Sequence, residues 1–328
     1  MNARPPQVSG RLAAPAATSP PSTARAAPED ELCSPTSICP LCKSGSRPVF
    51  TIDGYPILDC TVCKHRFVSV VVPSRHVQEI YGDDYFIGGG AGYDNYLSEG
   101  EILTQHGRQY AEILARHGAP GALLDVGAAA GFILRGLIEA GWQGQGLEPN
   151  RTMAACGLSD VGVEIHCGTI EDVSEEDLGG NVSDHHSYDL ITMIQVVAHF
   201  YDLDRAFRRA SSLTRPGGLW LIETWNRNSV TARVLGRWWH EYSPPSVVRW
   251  FDPDELASVV ARYGLREIDR GRPIKMIRAS HAKAILLHKL PFRVVQRVSA
   301  AAMRTIPDHL ILPYPAEDLF WALYRKEA

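Results

Sequence analysis

Leu123-Leu-Asp-Val-Gly-Ala-Ala-Ala-Gly131 is the stretch on which the reading of the fold turns. Ala122–Val126 is a short apolar run of strand length, and Gly131–Ala140 carries a helix that Gly141 ends. A glycine-rich turn between a strand and a helix is the setting in which backbone can cradle a nucleotide. Gly127 and Gly131 remove side chains where the chain must approach a ligand or pack tightly. Such a turn is weak testimony alone. Here Glu148 follows Asp125 by 23 residues, just past a second strand at Gln145–Leu147. An acidic residue at that spacing can hold two ribose hydroxyls.

Outward from this turn, strands and helices alternate. Strands are expected at Val163–His166, Tyr188–Ile194, Leu219–Thr224, Leu265–Asp269 and Leu319–Tyr324. Helices are expected at Glu99–His117, at Asp202–Leu213 (followed by Pro216-Gly217-Gly218) and at Asp252–Tyr263. The last has Asp252 as N-cap, Pro253 at the first helical position, Glu255 to complete a capping box and Gly264 to end it. This alternation predicts an α/β domain with a parallel sheet covered on both faces.

The chain has 328 residues, 45% hydrophobic and 21% charged, with a net charge of −4. That composition excludes a wholly disordered, collagen-like or coiled-coil protein. No stretch reaches the roughly 18–20 apolar residues of a membrane span, and no secretory signal is visible, so a reducing, cytoplasmic setting is expected. Nine Lys and Arg and no acids fall between Arg270 and Pro307, leaving 24 basic against 37 acidic residues elsewhere. An acidic body with one basic segment suits a localised anion site better than general nucleic-acid binding.

Residues 1–37 are rich in Ala, Pro, Ser and Thr, a composition that buries no core and predicts a disordered tail. A cleaved transit peptide also fits its three arginines, although its prolines oppose an amphipathic helix. Residues 38–75 then carry Cys39-Pro-Leu-Cys42 and Cys60-Thr-Val-Cys63, with 17 residues between the pairs. Two such knuckles can surround one tetrahedral zinc ion. A closed four-thiolate shell leaves no open position, so the metal is expected to be structural. Short β-rich runs flank the pairs at Val49–Ile52 and Phe67–Val72, while Cys33, Cys156 and Cys167 read as plain thiols. The segment 76–118 begins with an aromatic, glycine-rich stretch, Tyr81–Tyr96, expected to be a lid, and residues 119–328 form the main domain.

Taken together, the motifs resemble those of class I S-adenosylmethionine (SAM)-dependent methyltransferases. Asp125-Val-Gly-Ala-Ala-Ala-Gly131 is similar to that family's first glycine motif, with Ala129 where glycine is usual. Gly146-Leu-Glu-Pro149 resembles its ribose-binding strand end, and Gly168-Thr-Ile-Glu-Asp172 the turn along the adenine. Tyr188–His199 and Leu213–Ile222 resemble its fourth-strand motif and the turn into the fifth strand. The resemblance implies a seven-stranded Rossmann-like sheet, SAM as cofactor, and Asp125, Gly127, Ala129, Gly131, Glu148, Thr169, Ile170 and Gln195 around it. With the cysteine module in front, the chain is similar to bacterial methyltransferases of sugars and natural products. Many of those carry a histidine after a paired proline, where this chain has Pro244-Pro245-Ser246-Val247.

A hydroxyl or carbon-acid acceptor must lose a proton, which calls for a general base. His199, just past the fourth strand, either serves as that base or packs and caps the following helix region. His240, among Trp238, Trp239 and Tyr242, is the second candidate base, with Trp239 a candidate wall of the acceptor pocket. Tyr85, Tyr93 and Tyr96 either touch the cofactor carboxylate or acceptor, or pack the lid. The basic segment, about 270–307, reads as two short amphipathic helices. It is either a solvated face or a binder of a diphosphate, as on a nucleotide- or lipid-linked acceptor, or of a membrane surface. The expected activity is methyl transfer to a small molecule, on oxygen or carbon. An rRNA base methyltransferase with a zinc module and a non-catalytic SAM-binding scaffold are the alternatives.

Overall fold

A computed structural model describes residues 37–69, 75–86, 96–174, 188–279, 310–314 and 316–327, together with 178 and 307. The tail before residue 37, Tyr93 and the basic stretch from 280 to 306 lie outside the described residues.

The first elements are strands β1 (Ser46–Ile52), β2 (Tyr55–Cys60) and β3 (Arg66–Val68). Helices α1 (Arg75–Ile80), α2 (Asp83–Phe86) and α3 (Gly100–Leu114) follow. The α/β part then runs β4 (Ala122–Val126), α4 (Phe132–Glu139), β5 (Gln143–Glu148), α5 (Arg151–Cys156), β6 (Ile165–Cys167), β7 (Tyr188–Ile194), α6 (Leu203–Leu213) and β8 (Thr214–Trp225). It continues through α7 (Val230–Leu235), β9 (Arg249–Trp250), α8 (Pro253–Val260), β10 (Leu265–Gly271), β11 (Lys275–Arg278), β12 (Ile311–Tyr314) and β13 (Leu319–Lys326).

Seven strands form one sheet in the order β6-β5-β4-β7-β8-β13-β10. The first five are parallel, and β13 runs antiparallel between β8 and β10. Successive strand residues point to opposite faces. Leu124, Ile191 and Trp220 therefore enter a core under α6 and α8, while Leu123, Leu190 and Leu221 enter a second core under α3 and α4.

Local signals set the helix ends. The Asp202 carboxylate accepts from Arg205 N (3.1 Å) at the start of α6, and Asp252 accepts from Glu255 N (3.0 Å) at the start of α8. Half of the expected capping box is thus made. The side chain of Glu255 turns away, to His65 and Arg227. The helix expected at Glu99–His117 is α-helical only from Gly100 to Leu114 and is entered by a 3-10 turn, Tyr96–Glu99. Pro216-Gly217-Gly218 does not separate helix and strand. β8 starts at Thr214, and its pairing with β7 jumps from Tyr188↔Thr214 to Leu190↔Leu219, so the glycines form a bulge.

The cysteine region is a small antiparallel sheet, β1-β2-β3, completed by β9 from the main domain. Its middle strand, Tyr55–Cys60, carries Pro56 and Asp59, which hide it from a propensity reading. At the other end, β11 pairs antiparallel with β12, a ribbon whose strands flank the basic stretch. Among the described residues, no helix is long and apolar enough to cross a membrane.

Candidate active site

A cavity of about 380 Å³ opens at the carboxyl ends of β4, β5, β7 and β8, the edge where open α/β sheets take ligands. One half is the turn after β4. Gly127 there has φ +73°, and a Cβ would stand 2.7 Å from Val196 Cγ2. Glu148, at the end of β5, is buried and accepts from Ala129 N (2.9 Å) and Asn150 N (2.8 Å). Each carboxylate oxygen spends one lone pair on backbone and keeps capacity for a ligand. This also accounts for Ala129. Its φ of +47° is one glycine would accept more readily, and the bond from its N–H to Glu148 holds it there.

Asp125 accepts from the Thr192 hydroxyl (2.6 Å). Burial pushes Asp125, Glu148 and Glu171 each up to about 7. Thr169, Ile170 and Gln195 line the same half, and the Gln195 amide donates to Glu223 at 2.5 Å. Gly131 does not line the cavity. It begins α4 with φ +82°, and a Cβ there would sit 2.4 Å from Val163 Cγ2, so its smallness serves helix–strand packing.

His199 stands between this half and the far one. Its Nδ1 lies 2.8 Å from the Ser246 carbonyl and 2.9 Å from the Tyr81 hydroxyl, which itself donates to that carbonyl at 2.6 Å. A carbonyl only accepts, so Nδ1 carries a proton toward Ser246 O, and the Gln195 carbonyl is a second backbone acceptor beside the ring. Desolvation holds the imidazole below the ordinary histidine range, which keeps it neutral.

The far half combines Tyr85, Phe86, Tyr96, Trp225, His240 and Tyr314 with Lys275. His240 packs edge-on to Trp225 and has Nε2 3.4 Å from Glu241. Trp239 is not in the wall. Its indole is fully buried against Tyr242 and donates to Asp318 at 2.9 Å, which corrects its expected role as an acceptor contact. Behind the wall, buried Glu223 accepts from Tyr110 and Gln195 and pairs with His106 (3.3 Å). Burial alone would raise Glu223, but His106, Lys275 and Tyr110 hold it down at about 2. The sequence reading missed this network. A charge inside the apolar run Leu219–Trp225 was its signal.

The four knuckle cysteines bring their sulfurs within 4.8 Å of one another, with Cys39–Cys63 at 3.6 Å and Cys42–Cys60 at 3.3 Å. Zinc–sulfur bonds of about 2.3 Å in a tetrahedron need sulfurs roughly 3.8 Å apart, so the set fits the ion. The knuckles match each other. Lys43 and Lys64 are left-handed (φ +59° and +64°), and their amines donate to Pro40 O and Thr61 O, both at 2.8 Å.

From the second knuckle, contacts run to the cavity wall. His65 Nδ1 meets Glu255 at 2.5 Å, Arg66 donates to the Tyr242 hydroxyl at 2.6 Å, and Val68 N to Val248 O at 3.0 Å. Val248 N then donates to Ala198 O (3.1 Å), beside His199.

The sheet order and a glycine turn facing a buried acid define a domain of the kind that holds a nucleoside-bearing cofactor. The profile of a methyltransferase domain family matches residues 101–269, just over half of the chain. The chain belongs to that family of methyltransferase domains. A ubiquinone biosynthesis O-methyltransferase of Nitrobacter winogradskyi is 28% identical over 158 residues, 44% of this chain and 56% of that protein. The corresponding protein of Bradyrhizobium diazoefficiens is 27% identical over 150 residues, 41% of this chain and 54% of that one. The chain therefore spans about half the length of these curated relatives. A SAM-dependent methyltransferase of known structure from Archaeoglobus fulgidus aligns with a TM-score of 0.46 at 15% identity, over 70% of this chain and 99% of that one.

The raised carboxyls carry a pH signature. Glu148 binds its proton more tightly folded than unfolded, so between pH of about 4.5 and 7 the native state holds more protons and stability falls as pH rises. Glu148→Gln removes this penalty. The melting temperature of the variant minus that of wild type, both ligand-free, should therefore increase from pH 5.5 to pH 8. A difference that stays flat would mean that Glu148 is already ionised in the native state.

Proposed function

We propose that this enzyme methylates a hydroxyl group of a small molecule, such as a sugar or natural-product intermediate, with His199 as general base. The observation that carries the reading is the fixed tautomer of His199. Its Nδ1 proton is committed to Ser246 O, so Nε2 is the nitrogen left to accept a proton. When bound, SAM supplies an electrophilic methyl group on a sulfonium. Glu148 would accept from the ribose hydroxyls, Gly127 and Ala129 would give backbone access, and Asp125, Thr169, Ile170 and Gln195 would line the same half around the cofactor. Tyr85 and Tyr96 would close the far side over the acceptor, and His199 Nε2 would take the acceptor hydroxyl proton when the oxygen receives the methyl group. His240 remains the alternative base. The names of the curated relatives favour oxygen over carbon as the methylated atom.

Cys39, Cys42, Cys60 and Cys63 hold a structural zinc ion in this reading. The acidic body of the chain, −13 outside the basic segment, disfavours an rRNA acceptor.

Incubating the protein with SAM and a panel of hydroxylated sugars and phenols should yield a product one methylene heavier, detected by mass spectrometry. Failure to bind S-adenosylhomocysteine together with no product from any acceptor would overturn the proposal. Hydrogen bonds to a charged group contribute roughly 1.5–3 kcal/mol. Glu148→Ala should accordingly weaken S-adenosylhomocysteine binding at least about tenfold by calorimetry, with the fold intact by circular dichroism. Unchanged affinity would place the ribose elsewhere.

A further inference from the structure

We propose that Lys275 is the receptor for an acidic group, a carboxylate or phosphate, on an acceptor whose body is flat and apolar. This rests on the assignment of the far half of the cavity to the acceptor, and it names the class of acceptor. Lys275 opens β11 and pairs with Tyr314 of β12. Its amine lies 5.4 Å from the centroid of the Trp225 ring and 5.9 Å from that of Tyr314, and all three residues line the cavity. Two ring faces fix an ammonium group by their quadrupoles but do not cancel its charge.

The charge of Lys275 bears on Glu223, Glu99 and Asp318. Among the described residues, none closes a direct ion pair on it. Glu223 is bonded to Tyr110 and Gln195 and pairs with His106. Asp318 accepts from Trp239, and Glu241 lies beside His240. Burial raises the Glu99 carboxyl, against the pull of Arg278 and Lys275. Lys275 is the only Lys or Arg among the described residues lining the cavity.

The position of Lys275 is pinned as well. Three residues on, Arg278 donates to Ser98 O at 3.0 Å, tying the ribbon to the turn that enters α3. Asp125, Glu148 and Glu171 crowd the opposite half. An acidic acceptor would be repelled there and drawn to Lys275, with Trp225, Tyr314, Met276 and Ile277 against its apolar body. That polarity sets which end of the acceptor faces His199.

The test uses the full chain saturated with S-adenosylhomocysteine, titrated with benzoate, phenyl phosphate and neutral benzyl alcohol by calorimetry. One or both acids should bind wild type about tenfold or more tightly than the alcohol, as a charge-assisted contact implies. The tighter acid tells carboxylate from phosphate. Lys275→Met should erase the preference and Lys275→Arg should keep most of it, while S-adenosylhomocysteine affinity stays constant in both variants. Equal binding of all three probes to wild type, or a preference that survives in Lys275→Met, would overturn the proposal. Absence of S-adenosylhomocysteine binding in wild type would instead strike the methyltransferase reading on which it stands.

Discussion

His199→Ala should turn over about 10²–10⁴-fold more slowly than wild type, the range lost with a missing acid–base group. Binding of S-adenosylhomocysteine should stay within about threefold, because the lost interaction belongs to the transition state. The fold should survive. Tyr81 still donates to the Ser246 carbonyl when the imidazole is gone, so no buried acceptor is orphaned. A base works unprotonated, and desolvation lowers the imidazole pKa. The acid limb of the rate profile should therefore fall below the usual histidine range of about 6.5, and His199→Gln should abolish that limb. A merely structural histidine would lower activity at all pH values without moving the limb. If His199→Ala stays within about threefold of wild type, the base is His240 or a tyrosine of the lid.

The two halves of the cavity differed in how far the sequence exposed them. The half around Gly127 and Glu148 was legible because a single strand–turn–helix unit and one spacing, from Asp125 to Glu148, place its groups. Of the two roles expected for Gly131, ligand approach or tight packing, its Cβ position beside Val163 Cγ2 favours packing. The far half draws Glu99 from the turn entering α3, His106 from α3, Trp225 from β8, Lys275 from β11 and Tyr314 from β12. No local period links residues that lie more than two hundred positions apart, so tertiary pairing alone brings them together. Trp239 shows the limit from the other side. An aromatic cluster in sequence cannot reveal which ring faces a cavity and which faces Asp318. Among the strands, the apolar ones of the main sheet were readable by pattern. β9 has two residues and β2 contains Pro56 and Asp59, so neither presents a pattern to read.

Removal of zinc should cost more stability than any other single change in the molecule. Thiolate affinity for zinc is realised only when the four sulfurs are brought together, so metal binding and folding are one equilibrium, with apparent values of about 10–16 kcal/mol in small zinc peptides. Elemental analysis of purified protein should show about one zinc per chain. Cys60→Ser should lose it. Even a loss of about 5 kcal/mol would lower the melting temperature by roughly 10–20 °C in a domain of this size. The damage should also be directional. β3 is the partner of β9, and Arg66 holds Tyr242 next to the segment that supplies His240, Ser243 and Ser246 to the cavity. Glu148 and Asp125 have no hydrogen bond to the cysteine module among the described residues. In the Cys60→Ser protein, below its melting temperature, hydrogen exchange should speed up at 239–250 and at 198–199, while the β4–β5 region and S-adenosylhomocysteine affinity hold. A Cys60→Ser protein that retains a full equivalent of zinc, or that melts with wild type, would dismiss the metal site. Uniform acceleration across the sheet would instead show that the module supports the whole domain rather than the acceptor wall.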